Sequence, residues 1–257
     1  MAGKKGRLSD RCALITGAAG GIAQATARQF AQEGAQLLLT DLDVQALKPI
    51  AGELKSNGVT VITSGADLTK SSEVEKLISG GVKELGGLDI LVTCAGGYTK
   101  YANFEEIEEE DWDRTIELNL KTVYLCCKHV IPAMKTGGWG RIINLGSLAG
   151  RSTSAGSSPA HYATAKAGVS MLTQYIAKDV APFGITANTV APGTTITERV
   201  KNVLTPEKEK QFVGMTPAGR LAVPEDIAGL ITFLASEESS YITGATLDVN
   251  GGRLMLV

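Results

Sequence analysis

The stretch Thr16-Gly17-Ala18-Ala19-Gly20-Gly21-Ile22-Ala23 decides how the rest of the chain is read. It follows an apolar run of strand length, residues 12–15, and leads straight into a segment of helical length, residues 21–32. A glycine-rich turn at such a junction lets the backbone approach a pyrophosphate, whose charge then rests on the free N–H groups of the helix N-terminus. Glycines alone mark turns of any kind. The strand before and the helix after give this one the context of a dinucleotide-binding turn.

Outward from that turn, the same alternation runs to the end of the chain. Apolar runs of strand length recur at 37–40, 59–63, 89–93, 141–145, 185–190 and 245–249, and helix-length segments lie between them at 44–56, 71–84, 110–134, 163–180 and 224–235. The runs are rich in Val, Ile and Leu without polar alternation, so both their faces are expected to be buried. Strand–helix alternation of this kind predicts an α/β fold, a doubly wound Rossmann-type parallel sheet of about seven strands with helices on both faces. Helix-start signals agree: Asp41 and Asp43 stand before the second helix, Thr69 or Ser71 before the third, and Pro224-Glu225-Asp226 opens the last. No linker, repeat or low-complexity tract interrupts the series, so residues 1–257 read as one domain. Two long loops stand out as functional, 151–160 and 194–219, the second a candidate lid over substrate.

Composition narrows the partners. The net charge of −2 gives no reason to expect nucleic acid or a membrane surface, and the basic Lys4-Lys5-Gly6-Arg7 reads as a solvated tail. No run has the length of a bilayer span, and the N-terminus lacks the apolar core of a secretory signal. Cys12, Cys94, Cys126 and Cys127 show no C-x-x-C spacing, and with only two histidines no metal site is expected. Reduced, buried thiols fit a cytoplasmic protein.

Asp41 ends the second apolar run, twenty residues after Gly21. A carboxylate there accepts both ribose hydroxyls of an adenosine and repels a 2′-phosphate. No Arg or Lys stands at Ala19 or Gly20 to neutralise such a phosphate, so the cofactor expected is NAD rather than NADP. The competing reading makes Asp41 a helix cap only.

Tyr162-Ala163-Thr164-Ala165-Lys166 places a phenol and an ammonium one helical turn apart on one face. A free tyrosine titrates near 10, too high for a base near neutrality, and a neighbouring cation lowers that value. Any Tyr-x-x-x-Lys pair can arise on a surface by coincidence. This one follows the apolar run 141–145, whose end carries Ser147, a residue suited to hydrogen-bond a substrate oxygen or to cap a turn. Ser152, Ser154, Ser157 and Ser158 are nearby competitors. His161 adjoins Tyr162 but diverges from it by about 100° on a helix. It is not taken as catalytic, nor is His129; Trp112 and Trp139 read as packing, while Tyr98 and Tyr101 are placed to line a pocket.

With these residues in order, the chain resembles the short-chain dehydrogenase/reductase family from about Gly6 to Gly252. The family turn T-G-x-x-x-G-x-G is met by Thr16, Gly17 and Gly21, with Ala23 in place of the last glycine. Cys94-Ala95-Gly96-Gly97 stands where the family usually has N-N-A-G, and Cys94 replaces an asparagine. The resemblance implies cofactor contacts from Gly17, Ala19, Gly20, Gly21, Ile22, Asp41 and Leu42, from Asp67 and Leu68 beside the adenine, and from Cys94, Ala95 and Gly96. Pro192-Gly193-Thr194-Thr195-Ile196-Thr197 matches P-G-x-x-x-T, implying that Pro192, Gly193, the Thr195 backbone and the Thr197 side chain hold the carboxamide. Asn144-Leu145-Gly146-Ser147 matches N-x-S-S and selects Ser147, and Asn119 matches a helix asparagine that holds a water in a proton relay with the lysine.

The catalytic set so implied is Asn119, Ser147, Tyr162 and Lys166. Tyr162 takes the alcohol proton as hydride passes to the nicotinamide, and Lys166 both lowers the tyrosine's pKa and holds the nicotinamide ribose. The expected substrate is a small alcohol or ketone, and the family's homotetramer, built by the closing strand and two long helices, is the expected assembly. A 3-oxoacyl-thioester reductase is an alternative, disfavoured by Asp41 because biosynthetic members usually take NADPH. An idle nucleotide sensor or scaffold is a second, disfavoured because such proteins usually lose the tyrosine or lysine. Arg151 and Arg199 are able to bind a carboxylate or sulfonate but read first as surface residues.

Overall fold

Seven of the apolar runs become seven parallel strands: β1 (Cys12–Thr16), β2 (Gln36–Asp41), β3 (Val61–Gly65), β4 (Ile90–Thr93), β5 (Gly140–Leu145), β6 (Ile185–Pro192) and β7 (Thr246–Val249). They form one sheet in the order β3-β2-β1-β4-β5-β6-β7. The structure is a computed structural model that describes residues 6–98, 100–153 and 158–255. β1, β4 and β6 are buried along their whole length, which is why their sequences carry no polar alternation.

Helices cover both faces. On one lie α1 (Gly21–Gln32), α2 (Lys48–Ser56) and α9 (Pro224–Ala235), with α1 packed along α9 and Phe30, Ile50, Leu54, Ile227 and Ile231 in the core. On the other lie α3 (Ser71–Leu85), α5 (Thr122–Gly137) and α6 (Ala160–Val180), with Val74, Ile78, Cys127, Val130 and Val169 inside. Phe30 is fully buried, so its truncation to alanine is expected to cost about 3–5 kcal/mol. Ala23, the departure in the glycine turn, is buried in the first of these cores, where its methyl packs.

Several boundaries differ from expectation, among them the start of α6, which is Ala160 rather than 163. The third strand runs Val61–Gly65 rather than 59–63, because the Val59 N–H donates to Leu54 O and closes the turn after α2. The third helix has Lys70 at its N-cap, and neither Thr69 nor Ser71 caps it. The long helix expected at 110–134 is α4 (Glu109–Ile116), a π-helical turn over Glu117–Lys121, then α5. π-turns of this kind insert one residue into an α-helix and concentrate at functional sites. The 194–219 segment carries α7 (Glu198–Lys201) and α8 (Pro206–Gly214).

The chain leaves β1 toward β2 and β3, then returns to β4 on the other side of β1. In open α/β sheets, ligands bind at the C-terminal ends of strands where the winding reverses. The turns after β1 and β4 are therefore the place to look.

Candidate active site

A cleft of about 290 Å³ opens at that switch point. Gly17, Gly20, Asp41, Leu42, Asp67, Leu68, Cys94, Ala95 and Gly96 line it, nine residues singled out from the sequence. Ala66, Thr69, Leu118 and Thr122 line it too, Leu118 inside the π-turn and Thr122 just after it. Gly17 takes φ +60°, and a Cβ there would lie 2.7 Å from the Ala95 backbone. Only glycine lets the two turns meet so closely.

Gly20 is the N-cap of α1 and offers no side chain to the first-turn N–H groups, so Gly21 and Ile22 open a helix end with no side-chain cap. Free amides on one side and a carboxylate on the other suit a dinucleotide. Asp41 Oδ2 accepts the Ala19 N–H at 3.0 Å, and Oδ1 accepts that of Leu42 at 2.8 Å. The cap at this point is Asp43, which accepts the Gln45 N–H at 2.9 Å and opens the 3-10 turn Val44–Leu47 that leads into α2. Asp41 is thus part of the cleft wall, and each of its oxygens keeps a further lone pair. Asp67 is turned to its own loop: Thr69 Oγ1 donates to it at 2.7 Å, and this bond leads the causes that lower its pKa.

Around the end of β5, Tyr162 occupies the first turn of α6 and Lys166 the next. The Tyr162 hydroxyl is hydrogen-bonded to Ser147, whose Oγ also accepts the Ala149 N–H at 3.2 Å; the serine pairs with the phenol and caps its turn at once. Lys166 Nζ lies 5.8 Å from the centre of the Tyr162 ring and donates to Leu145 O at 2.8 Å. Burial pushes the Tyr162 phenol above its ordinary value, with the Ser147 bond and the charge of Arg199 opposing and Tyr98 assisting. Burial also brings Lys166 down to about 8. The sequence places the lysine to lower the phenol; the structure corrects this, with desolvation leading and Ser147 and Arg199, not Lys166, opposing it.

Asn119 sits in the π-turn, fully buried. Its Oδ1 accepts the Gly97 N–H at 2.8 Å, and its Nδ2 donates to Gly97 O at 2.7 Å and to Thr115 O at 2.8 Å. An asparagine inside an apolar helix needs such partners. A Cβ on Gly96 would lie 2.6 Å from Asn119 Oδ1 and 3.3 Å from Lys166 Nζ, so both groups crowd one point of the loop after β4. Cys94 lines the same loop, its thiol pushed up to about 12 by burial.

Pro192 ends β6, and Gly193 continues its pairing by donating to Val249 O at 2.8 Å. Thr195 is buried, forms a parallel bridge to Ala222 and donates to Gly193 O at 3.1 Å. Thr197 caps α7 by accepting the Val200 N–H at 3.3 Å, and its methyl would lie 3.1 Å from a Cβ on Gly21. The lid segment therefore begins against the glycine turn. Tyr98 packs on Tyr162 with ring centres 5.0 Å apart.

Other candidates fall away from the site. His161 is buried, and burial lowers its pKa; the charge it feels is that of Asp111 on α4. His129 Nε2 meets Ser71 Oγ at 2.9 Å. The guanidinium groups of Arg11 and Arg141 lie over the Trp139 ring, 3.6 and 4.2 Å from its centre. Arg151 pairs with Asp248 at 3.3 Å. Ser154 and Ser157, with the centre of the 151–160 loop, lie outside the described residues. Among the described residues no cluster of His, Cys, Asp or Glu is arranged to hold a metal, and no helix is long and apolar enough to cross a membrane.

Comparison with known proteins agrees with this geometry. A family model described as enoyl-(acyl carrier protein) reductase matches residues 17–253. The 3-oxoacyl-[acyl-carrier-protein] reductase FabG of Rickettsia bellii is 39% identical over 249 residues, 97% of this chain and 99% of that one. The 7alpha-hydroxysteroid dehydrogenase of Bacteroides fragilis is 36% identical over 248 residues, 96% of this chain and 95% of that one. The crystal structure of a short-chain type dehydrogenase/reductase from Mycobacterium marinum superposes with a TM-score of 0.91 at 32% identity, covering 97% of each chain. A glycine turn at the switch point, a Ser–Tyr–Lys group whose lysine lies against the loop after β4, and relatives of near-equal length together make this chain a member of the short-chain dehydrogenase/reductase family of nicotinamide-dependent oxidoreductases.

Proposed function

We propose that this protein is an NAD(H)-dependent dehydrogenase or carbonyl reductase acting on a secondary alcohol or ketone. The observation that carries the reading is the Tyr162 hydroxyl paired with Ser147, with Lys166 one turn along the helix and its Nζ against Gly96, a residue of the cleft that Asp41 walls. The nicotinamide, when bound, supplies the acceptor or donor of hydride. Gly17, Ala19 and Gly20 shape the turn that receives the pyrophosphate, Gly21 and Ile22 offer it the free backbone N–H groups of the helix end, and Asp41 with Leu42 receives the adenosine ribose. Asp67, Leu68, Cys94, Ala95 and Gly96 complete the wall. Pro192, Gly193, Thr195 and Thr197 orient the carboxamide.

In the oxidative direction Tyr162 Oη accepts the alcohol proton while the Ser147 hydroxyl donates to the substrate oxygen and steadies its developing charge. Lys166, its Nζ 5.8 Å from the centre of the Tyr162 ring, stabilises the phenolate when it carries its proton. Asn119 acts through the Gly97 loop and through a water shared with Lys166. The segment 194–219 closes over substrate, and residues 1–257 work as one domain. Exposed Tyr124, Met171 and Tyr175 on α5 and α6 supply apolar surface for a homotetramer, and the free cysteines suit the cytoplasm.

NAD is favoured over NADP because the Asp41 carboxylate would repel a 2′-phosphate. Titration of the purified protein with NADH and NADPH, read by nucleotide fluorescence, is expected to show saturation at far lower NADH; equal or reversed affinity refutes the assignment. Reduction of 3-oxoacyl thioesters is the second reading, favoured by the Rickettsia relative. A panel of secondary alcohols, hydroxy acids, sugars and steroids with NAD, run beside a 3-oxoacyl thioester with NADPH, separates the two.

A further inference from the structure

Arg199 projects from α7, the first helix of the 194–219 segment, back over the end of β4. Its guanidinium donates to the carbonyl oxygens of Gly96, at 3.4 Å, and Tyr98. Gly97 makes room for it: a Cβ there would collide with the guanidinium, and the residue's φ of +137° is one that side chains rarely adopt. Among the described residues no ion pair includes Arg199, whereas Arg7, Arg11, Arg28, Arg141, Arg151 and Arg220 each face a carboxylate.

Neutral carbonyls are weaker partners for a guanidinium than an oxyanion, which accepts a charge-assisted, bidentate pair. The place is the substrate mouth, because Tyr98, whose carbonyl Arg199 grips, has its ring against Tyr162. The charge of Arg199 is also felt at the Tyr162 hydroxyl, where it opposes the upward push of burial.

We propose that Arg199 is a specificity-determining residue of this site, selecting alcohols and ketones that carry a carboxylate near the reacting carbon and exchanging the Gly96 and Tyr98 carbonyls for that group. The inference rests on the dehydrogenase reading above. It gives the lid a reason to close: while Arg199 bridges the carboxylate, α7 is tied to the bound substrate rather than to the loop.

The test compares wild type, Arg199→Gln and Arg199→Lys on 2-, 3- and 4-oxo acids and their methyl esters with NADH. Wild type is expected to favour one acid over its ester in kcat/KM. Arg199→Gln should shrink that ratio by about tenfold to a hundredfold, mainly through KM, the range of a lost hydrogen bond to a charged group. Arg199→Lys should recover part of it. In parallel, the oxo acids are titrated into the NADH-bound protein and followed by nucleotide fluorescence, and Arg199→Gln should weaken that binding by a similar factor. An unchanged ratio, a preference for esters, or no binding of any oxo acid overturns the proposal. A loss of NADH affinity in Arg199→Gln equal to the loss for the acid overturns it too, by assigning the guanidinium to the cofactor's pyrophosphate. Turnover of esters with an unaltered ratio removes only the role of Arg199; a wild type that neither binds NADH nor reduces any ketone removes the dehydrogenase reading and this one with it.

Discussion

Asn119 and Gly97 exchange two hydrogen bonds, side-chain oxygen to backbone N–H at 2.8 Å and side-chain amide to backbone carbonyl at 2.7 Å. Asn119→Leu keeps the volume but strands both Gly97 groups and Thr115 O in a dry interior. Each buried group left without a partner costs about 1–3 kcal/mol, and a domain of this size loses about 2–4 °C of Tm per kcal/mol. A fall of several degrees in calorimetry is expected, together with weaker NADH binding as the loop loosens. A Tm within a degree of wild type would mean that the loop is held by something else.

Tyr162→Phe retains the ring against Tyr98 and deletes only the hydroxyl. Turnover is expected to fall by about 10²–10⁴-fold, the usual range for loss of a general acid–base group, with NADH affinity nearly intact. A normal rate in stopped assays would discard the mechanism.

Asp41→Ala removes a charge and two acceptors, one of which fixes the Ala19 N–H in the glycine turn. The gap between NADH and NADPH affinity should narrow, and NADH binding itself should weaken because the turn loses its tie. Selectivity lies elsewhere if the ratio of the two dissociation constants does not move.

Lys166 gives a pH signature in the cofactor-free protein. Its folded pKa, about 8, lies below its ordinary value of 10.5, so between those values the unfolded chain binds more protons than the native one. Stability therefore gains from this group as pH rises through that window and is penalised below it. Lys166→Met has no such group, so its stability relative to wild type should be greatest near pH 7 and shrink toward pH 10. Urea melts across that range that show a constant difference would contradict the assignment.

The order of strands and helices was legible because short Val, Ile and Leu runs without polar alternation, bounded by turn residues and alternating with longer amphipathic segments, fit strands buried on both faces. The cleft was legible through glycine at Gly17 and acid at Asp41, since both perform backbone-level tasks at the ends of such strands. Arg199 is exposed, as its sequence suggests, but nothing in local spacing reveals that a side chain on a short helix reaches the Gly96 carbonyl. The direction of the Tyr162 shift was missed for a related reason: spacing shows the cation one turn away but not the desolvation around the phenol. The π-turn escaped because apolar periodicity continues through 117–121 while the hydrogen-bond register changes beneath it.

That extra residue between Ile116 and Thr122 has a further consequence. It turns everything downstream by about 100° relative to an uninterrupted α-helix. Asn119 is thereby aimed at the β4 loop while Val123, Cys127 and Val130 still meet the sheet. Deleting one residue here would force a choice of phase, since a single regular screw cannot serve both the loop and the core. The irregular turn is how this stretch of backbone answers to two neighbours at once.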